Sequence, residues 1–282
     1  MYKPKYINVG GKLLDLSVPK VMGIINVTPD SFYSGSRFSE SGIMAAAEKM
    51  IGDGADIIDI GGISSRPGAA EISAAEEEKR VLPAVKLIRK ELPDAIISVD
   101  TYRARVAEKA VAEYGAHIIN DISGGDADPE MFAVISKINV PYILMHMKGA
   151  PATMQNAPVY DDVVSDILKY FGERIFKLRS AGVNDIIVDP GFGFGKTIEH
   201  NFELLQRLED FAITGLPLLV GLSRKTMIWK TLDIAPDEAL AGTVVLNTIA
   251  LTKGADIIRV HDVKEAAQAV KLVCSMKKID LE

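Results

Sequence analysis

The sequence predicts a single α/β domain, a closed (β/α)8 barrel of the TIM type with an N-terminal β-hairpin. Three observations carry this expectation. Short apolar runs alternate with longer amphipathic stretches along all 282 residues, which is the rhythm of repeated strand–helix units. The short runs are apolar at consecutive positions, as strands are in a parallel sheet covered on both faces. No Pro/Ser-rich linker, charge block or low-complexity segment interrupts the chain, so residues 1–282 read as one domain. An open doubly wound sheet uses the same alternation, and the count of eight favours the barrel.

Residues 6–16 alternate around Gly10-Gly11, the pattern of a hairpin within a 1–20 extension, placed to close the bottom of the barrel. Strands are expected over 21–28, 56–61, 95–101, 117–123, 141–147, 185–190, 217–223 and 256–261. Helices are expected over 41–52, 74–91, 103–114, 129–137, 163–181, 198–211, 236–251 and 263–276. Gly54, Gly115, Gly182 and Gly254 each fall between a helix and the next strand, where a left-handed C-cap favours glycine.

A hydrophobic content of 48% with 25% charged residues provides for a large core and excludes a disordered chain. The net charge of −6 argues against nucleic acid or an anionic membrane as partner. No apolar run reaches the ~20 residues of a membrane span, and residues 1–5 lead into no signal-peptide core. The cytoplasm is the expected location. Cys274 is the single cysteine, which excludes a disulfide framework and a cysteine-based zinc site.

In a barrel of this kind, active sites form at the strand C-termini, and here those ends are polar. They carry Asn26 with Thr28-Pro29-Asp30-Ser31, Asp59, Ser64-Ser65-Arg66, Asp100, Asn120-Asp121, His146, Asp189, Ser223-Arg224-Lys225, and Arg259 with His261. A single polar end is ordinarily the cap of the next helix; polar groups at all the ends point to a site. Asp100, Asn120 and Asp189, on three strands, suit a flat ring bearing several N–H donors. Arg66, Lys225, Arg259 and His261 suit phosphate or carboxylate. The residue types imply a ring-plus-anion substrate and leave the ring open.

No strong nucleophile or metal cage is evident. His117 begins a strand and His200 lies within a helix, so both read as structural, whereas His146 is open to either role. Residues 191–197 (Gly-Phe-Gly-Phe-Gly-Lys-Thr) resemble a phosphate loop, but the glycine spacing fails the Walker pattern. As a flexible glycine-rich loop opening onto a helix N-terminus, they remain available to a ligand. Trp229 and the methionines around His146 read as packing.

Taken together, these runs resemble the dihydropteroate synthase family, in its order and over nearly the whole chain. The resemblance rests on residues 22–32 (Met-Gly-Ile-Ile-Asn-Val-Thr-Pro-Asp-Ser-Phe), Asp59-Ile60-Gly61-Gly62 with Ser65-Arg66-Pro67-Gly68, and Ser98-Val99-Asp100-Thr101. It continues through Ile119-Asn120-Asp121, Met145-His146-Met147, residues 189–196, Ser223-Arg224-Lys225 and Arg259-Val260-His261-Asp262. It implies a pterin-binding barrel, of a sulfonamide-target class, that joins 4-aminobenzoate to 7,8-dihydropterin-6-ylmethyl diphosphate with Mg²⁺, releasing pyrophosphate. By the resemblance, Asp100, Asn120, Asp189 and Lys225 hold the pterin, with Arg259 against its face, Met145 below it and Phe194 among the substrate contacts. Asn26 meets the metal. Arg259 and His261 hold the diphosphate, Arg66 joins the substrate contacts, and Phe32, Ser65 and Lys225 border the aminobenzoate pocket. A homodimer formed through C-terminal helices is implied in the same way. The chain departs from the family at Ile63, where glutamate is common, at Ser65 in place of threonine, in residues 33–37, and at Trp229 where glycine is frequent.

The residues suit such chemistry. An aromatic amine is a weak nucleophile, so departure of pyrophosphate must carry most of the barrier lowering, assisted by cations and Mg²⁺. A neutral amide oxygen is a plausible sole protein ligand for an ion that keeps its waters and substrate phosphates. Three alternatives stand beside this reading. A pterin-dependent methyltransferase would have little use for the cationic set. A Schiff-base aldolase would need Lys225 with a depressed pKa, for which neighbouring Arg224 is a candidate cause. A non-catalytic pterin binder would not need Asn26, Arg66, Lys225 and His261.

Overall fold

A short hairpin leads into eight parallel strands that wrap into a barrel inside a ring of helices. The structure, a computed structural model, describes residues 5–27, 40–63, 72–149 and 158–279. The hairpin is β1 (Tyr6–Val9) and β2 (Lys12–Asp15). The chain then runs β3 (Lys20–Asn26), α1 (Glu40–Gly52), β4 (Ile57–Gly61), α2 (Ala74–Glu91), β5 (Ile96–Asp100), α3 (Ala104–Ala112) and β6 (Ile118–Asp121). It continues α4 (Met131–Ile138), β7 (Tyr142–Met145), α5 (Val163–Ser180), β8 (Ile186–Asp189) and α6 (Ile198–Gln206). The last part is β9 (Leu219–Val220), α7 (Thr226–Leu232), α8 (Leu240–Thr252), β10 (Ile257–Val260) and α9 (Val263–Lys277).

The parallel strands lie in the order β8-β7-β6-β5-β4-β3-β10-β9. An isolated parallel bridge from Val188 to Leu218 and the bond from Val188 N–H to Pro217 O close β8 onto β9. The expected barrel is therefore present, with strand ends within a few residues of those read from the sequence. Gly54, Gly115, Gly182 and Gly254 all have positive φ, as the capping argument requires. Two helices read as continuous are divided: 198–211 passes into a 3₁₀ turn (Leu208–Thr214), and Pro236–Glu238 is a separate 3₁₀ turn before α8. Helix α7 was not read from the sequence. It has only seven residues, and two threonines, an isoleucine and a tryptophan among them dilute the propensity of methionine, lysine and leucine.

Alternation along each strand sorts its residues into two cores. Ile58, Ile60, Ile97, Val99, Ile119, Leu144, Val188, Ile258 and Val260 pack outward against the helices. Met22, Ile57, Ile118, Ile143, Ile187, Leu219 and Ile257 form a separate apolar layer inside the barrel, sealed by Ile7, Val9 and Leu16 at the hairpin. The hairpin is thus the floor plug that the alternation around Gly10-Gly11 implied.

That floor generates a stability prediction. Ile7 is fully buried in the inner layer, so Ile7→Ala should cost ~2–5 kcal/mol through lost transfer energy and a residual cavity. Urea unfolding measures it, and a loss below ~0.5 kcal/mol, the usual size of a surface change, would remove the hairpin from the core.

Candidate active site

Two residues beyond the apolar floor, the inward positions turn polar. The same alternation that points Ile57, Ile96, Ile118, Ile187 and Ile257 inward also points Asp59, Ser98, Asn120, Asp189 and Arg259 inward. Strand register sets Asp59 beside Ser98, Asp100 beside Asn120 and Met145 beside Asp189. Asp121 falls on the opposite face. Its carboxylate accepts from Tyr142 Oη, Ser123 N and Gly125 N, so it braces the loop after β6 and takes no part in the mouth.

Arg259 joins this layer together. Its Nε donates to Asp59 Oδ2 and its Nη2 to Asp100 Oδ2, both at 2.7 Å. Asp59 Oδ2 also accepts from Asn120 Nδ2 at 3.1 Å. Burial opposes the charge on Arg259, but the carboxylates of Asp59 and Asp100 outweigh it and hold the guanidinium above its ordinary range. Burial pushes Asp100 up to about 7; Arg259 opposes the rise, and the charges of Asp59, Glu77 and Asp121 add to it. Asp59 Oδ1, Ser98 Oγ and Asn120 Oδ1 are buried without a hydrogen-bond partner among the described residues. Unpaired buried acceptors are costly, and here they suit a ligand or water rich in N–H or O–H donors.

Across the mouth, Asp189 is buried and its Oδ1 accepts from Gly191 N at 2.8 Å. Burial raises its pKa; the Gly191 N–H and the charges of Lys225, Arg259 and Lys196 work against the rise. Lys225 Nζ lies 4.2 Å from the centroid of the Phe194 ring. Burial lowers the Lys225 pKa to about 8, with Asp189 opposing and Arg259 adding. Arg224, the cause considered from sequence, is turned away: its guanidinium grips Asp262 at 2.8 and 3.0 Å. Ile122, Met145 and Phe194 form a small apolar cluster here, with Tyr102 and Met147 against it. The mouth therefore offers polar atoms on its walls and an apolar patch between them.

The 190–196 loop is clamped, which corrects the expectation of flexibility. Gly191 and Gly195 adopt φ of +69° and +62°, and a Cβ on either would strike the backbone carbonyl of His146 or Lys148. Only glycine fits these two places. Lys196 points inward, away from solvent.

The histidines fall into distinct roles. His117 Nδ1 accepts from Ile97 N, and His200 completes a capping box with Thr197 at the start of α6, so both are structural as expected. His146 is buried beside Lys196 and packs edge-on against Tyr170. Burial, then Lys196, Arg174 and Lys148, lowers its pKa to about 2. His261 stands exposed at the rim with Nδ1 3.1 Å from Ser223 Oγ. Loss of solvation and then the positive charge of Arg259 press its pKa down to about 4. It is neutral in the free protein, so it is not one of the standing cations as the residue types suggested.

Arg224 organises this rim. It holds a left-handed φ of +54°, its N–H donates to Thr243 Oγ1 and its side chain ties the β9 loop to Asp262. That pairing sets the entry of Lys225 into α7 and the position of His261 beside Ser223. Asn26 ends β3 next to Gly61. Trp229 is half-buried against the outer core, which fits packing. Phe32, Ser65 and Arg66 lie outside the described residues, as do residues 33–37. Asp59, Ser98, Ile122 and Lys196 were not singled out from sequence for a role in the site; period-two counting back from Gly61 and Asp100 is the signal that finds the first two.

Comparison with known proteins agrees with this geometry. The pterin binding enzyme family matches residues 22–261. The chain is similar to dihydropteroate synthase of Escherichia coli K12, with 48% identity over 266 residues, 93% of each chain. It is 45% identical to that of Bacillus subtilis, over 91% of this chain and 88% of the relative. Among solved structures, the Yersinia pestis dihydropteroate synthase with a sulfonamide drug superposes with a TM-score of 0.91 at 43% identity, over 97% of this chain and all of the other. The Xanthomonas albilineans enzyme with 4-aminobenzoic acid gives 0.91 at 35% identity, over 99% of this chain and all of the other.

Two predictions follow from the charges in the mouth. Arg259→Met strands the carboxylates of Asp59 and Asp100, and breaking a buried pair on one side costs ~3–5 kcal/mol; adding Asp59→Asn should recover part of that loss in urea unfolding. Equal stability of wild type and single variant would remove Arg259 from its bridging role. His146 has a folded pKa of about 2, below the ~6.5 of an unfolded imidazole. Its contribution is therefore present above pH 6.5 and lost as the pH falls below it. His146→Phe should flatten the dependence of unfolding free energy between pH 6.5 and 5 by up to ~1.4 kcal/mol per pH unit. An unchanged slope would mean that His146 accepts a proton in the fold.

Proposed function

The chain belongs to the dihydropteroate synthase family of pterin-binding enzymes, and from that membership we propose the division of labour at its barrel mouth. It is a transferase of folate synthesis, condensing 4-aminobenzoate with 7,8-dihydropterin-6-ylmethyl diphosphate to give dihydropteroate and pyrophosphate. The observation that carries the assignment of roles is the Arg259 bridge between Asp59 and Asp100, with Asn120 joined to it and Asp189 and Lys225 facing it.

The aminopyrimidinone edge of the pterin takes its hydrogen bonds from Asp100, Asn120, Asp189 and Lys225. The planar guanidinium of Arg259 lies against one face of the ring, and Met145, Ile122 and Phe194 supply apolar contact. Phe32, Ser65 and Lys225 border the aminobenzoate. No enzyme nucleophile is needed: electron release from the pterin stabilises the methylene carbon as the C–O bond to diphosphate breaks, and the amine then adds.

Charge building on the leaving group meets Arg259, His261 and Arg66. The free His261 is neutral chiefly because it has lost solvation, with the positive field of Arg259 adding to that and Asp262 opposing it. A bound diphosphate reverses that field and favours the imidazolium, which then holds the developing charge more strongly than the ground state.

Mg²⁺ is part of this proposal, with Asn26 as its protein ligand. The Cβ position of Gly61 lies 3.7 Å from Asn26 Oδ1 and 3.6 Å from Asp100 Oδ2, so the amide oxygen stands near the Asp100 carboxylate on the inward side of β4. Among the described residues no group of three His, Cys, Asp or Glu side chains could hold an ion unaided. One neutral oxygen suits Mg²⁺, which retains waters and substrate phosphates. When bound, the ion would neutralise charge on the departing diphosphate.

A homodimer is proposed through the C-terminal helices. Val245 on α8 and Leu272 and Met276 on α9 are exposed, while Cys274 is buried within α9. Among the described residues no helix is long and apolar enough to cross a membrane; the cytoplasm is the proposed location, in keeping with a buried free thiol.

Incubating the protein with both substrates and Mg²⁺ should yield pyrophosphate and dihydropteroate in equal amounts; no product would overturn the reading. Asp189→Asn turns an acceptor into a donor facing the ligand's N–H groups, so pterin affinity by calorimetry should fall at least ~10-fold. His261→Ala should lower kcat by roughly 10²–10³ with pterin affinity retained. Full activity in chelator, with borohydride trapping an adduct on Lys225, would establish the aldolase chemistry instead.

A further inference from the structure

Lys196 is a buried lysine that the reaction as described does not use; burial lowers its pKa to about 7, with Asp189 opposing the fall and Lys225 adding to it. Its Nζ lies 2.9 Å from Gly191 O, 3.0 Å from Phe194 O and 3.0 Å from His146 Nδ1. An ammonium has three N–H donors and no acceptor, so these partners satisfy it completely. With Lys196 donating, His146 must present the lone pair of Nδ1 and carry its proton on Nε2.

Each partner is tied to the mouth. Gly191 accepts from Lys196 through its carbonyl while its own N–H donates to Asp189 Oδ1 at 2.8 Å. Phe194 accepts from Lys196 through its carbonyl while its ring lies 4.2 Å from Lys225 Nζ. His146 N–H, in turn, donates to Asp189 O. The lysine therefore fixes, from behind, both the loop that orients the Asp189 carboxylate and the ring that seats Lys225. Its charge also counts among those that work against the rise that burial imposes on the Asp189 pKa.

We propose that Lys196 is a positioning residue for the pterin site: a caged ammonium that locks the 190–196 loop so that Asp189 and Lys225 are placed before the ligand arrives. A lysine in a glycine-rich loop at the head of a helix suggests a phosphate contact; this one is spent on two loop carbonyls and an imidazole. It does not touch substrate. The inference rests on the pterin site assigned above.

The test is calorimetric binding of 6-hydroxymethylpterin to the full chain, with thermal melting recorded in parallel. Lys196→Met keeps the apolar stem and removes the ammonium; pterin affinity should fall at least tenfold in the folded variant. Adding propylammonium to a Lys196→Ala variant should restore part of the affinity, because the three acceptors of the cage remain. A lowered melting temperature with pterin affinity unchanged would make Lys196 merely structural and overturn the proposal. If the lysine variants do not fold, His146→Phe decides. It removes one acceptor and keeps ring packing on Tyr170, so a smaller loss of pterin affinity supports the lock and an unchanged affinity overturns it. Wild-type protein that binds no pterin would instead mean that the pterin site itself is wrongly assigned.

Discussion

A positive charge inside the barrel is the constraint on which the mouth depends. Arg259 has little access to water, and a guanidinium so placed is tolerable only if carboxylates and hydrogen bonds replace the lost solvation. Asp59 and Asp100 provide them from two adjacent strands, and Asp59 extends the contact to Asn120 on a third. The register between strands is thereby tied to the chemistry. A slip of one residue would turn Asp59 toward the helices and Ile58 or Ile60 into the barrel, leaving Arg259 unpaired. The apolar floor below, sealed by Ile7, Val9 and Leu16, keeps water from reaching this layer from the other end.

Much of this was legible in the sequence because its physics is periodic. Strand ends, helix ends with glycine beyond them, and the hairpin about Gly10-Gly11 all follow from spacing and local backbone preference. The polar strand ends marked the mouth for the same reason. Asn120 and Asp121 show where reading by proximity fails: adjacent in sequence, they face opposite sides of the sheet, and only one can belong to the site. Alternation was sufficient to separate them. The resemblance to a known family supplied what alternation does not, namely that the ring is a pterin and that the anion is a diphosphate.

What was hidden depends on tertiary contact. Helix α7 is short and has modest intrinsic propensity, and it forms because Met227 and Ile228 are buried against the core. Arg224 adopts a left-handed backbone that its residue type does not announce, held there by Asp262 and Thr243. Adjacent in the chain, Arg224 and Lys225 suggested mutual repulsion, yet the first spends its charge on a neighbouring loop and the second is depressed mainly by burial. The glycines of 190–196 looked like freedom. Their positive φ serves close packing against the carbonyls of His146 and Lys148, and the same contacts that demand glycine hold the loop in place.

The charges gathered at the mouth explain how an acidic chain holds an anionic substrate. Asp59, Asp100 and Asp189 face Arg259, Lys225 and Lys196, so the inner ring is nearly balanced when all six are ionised. A balanced ring suits an uncharged heterocycle, which needs directed donors and acceptors more than net charge. The diphosphate needs the opposite, and Arg259, already paired to two carboxylates, has less to offer it. The attraction for the leaving group must therefore come in part from the rim, where loss of solvation, and then the charge of Arg259, keeps His261 neutral at rest while Asp262 opposes them. An imidazole held below its ordinary pKa by cations gains a proton when an anion cancels their field. Positive charge then arises where and when the diphosphate arrives, and the free protein is spared the repulsion of another cation beside Arg259.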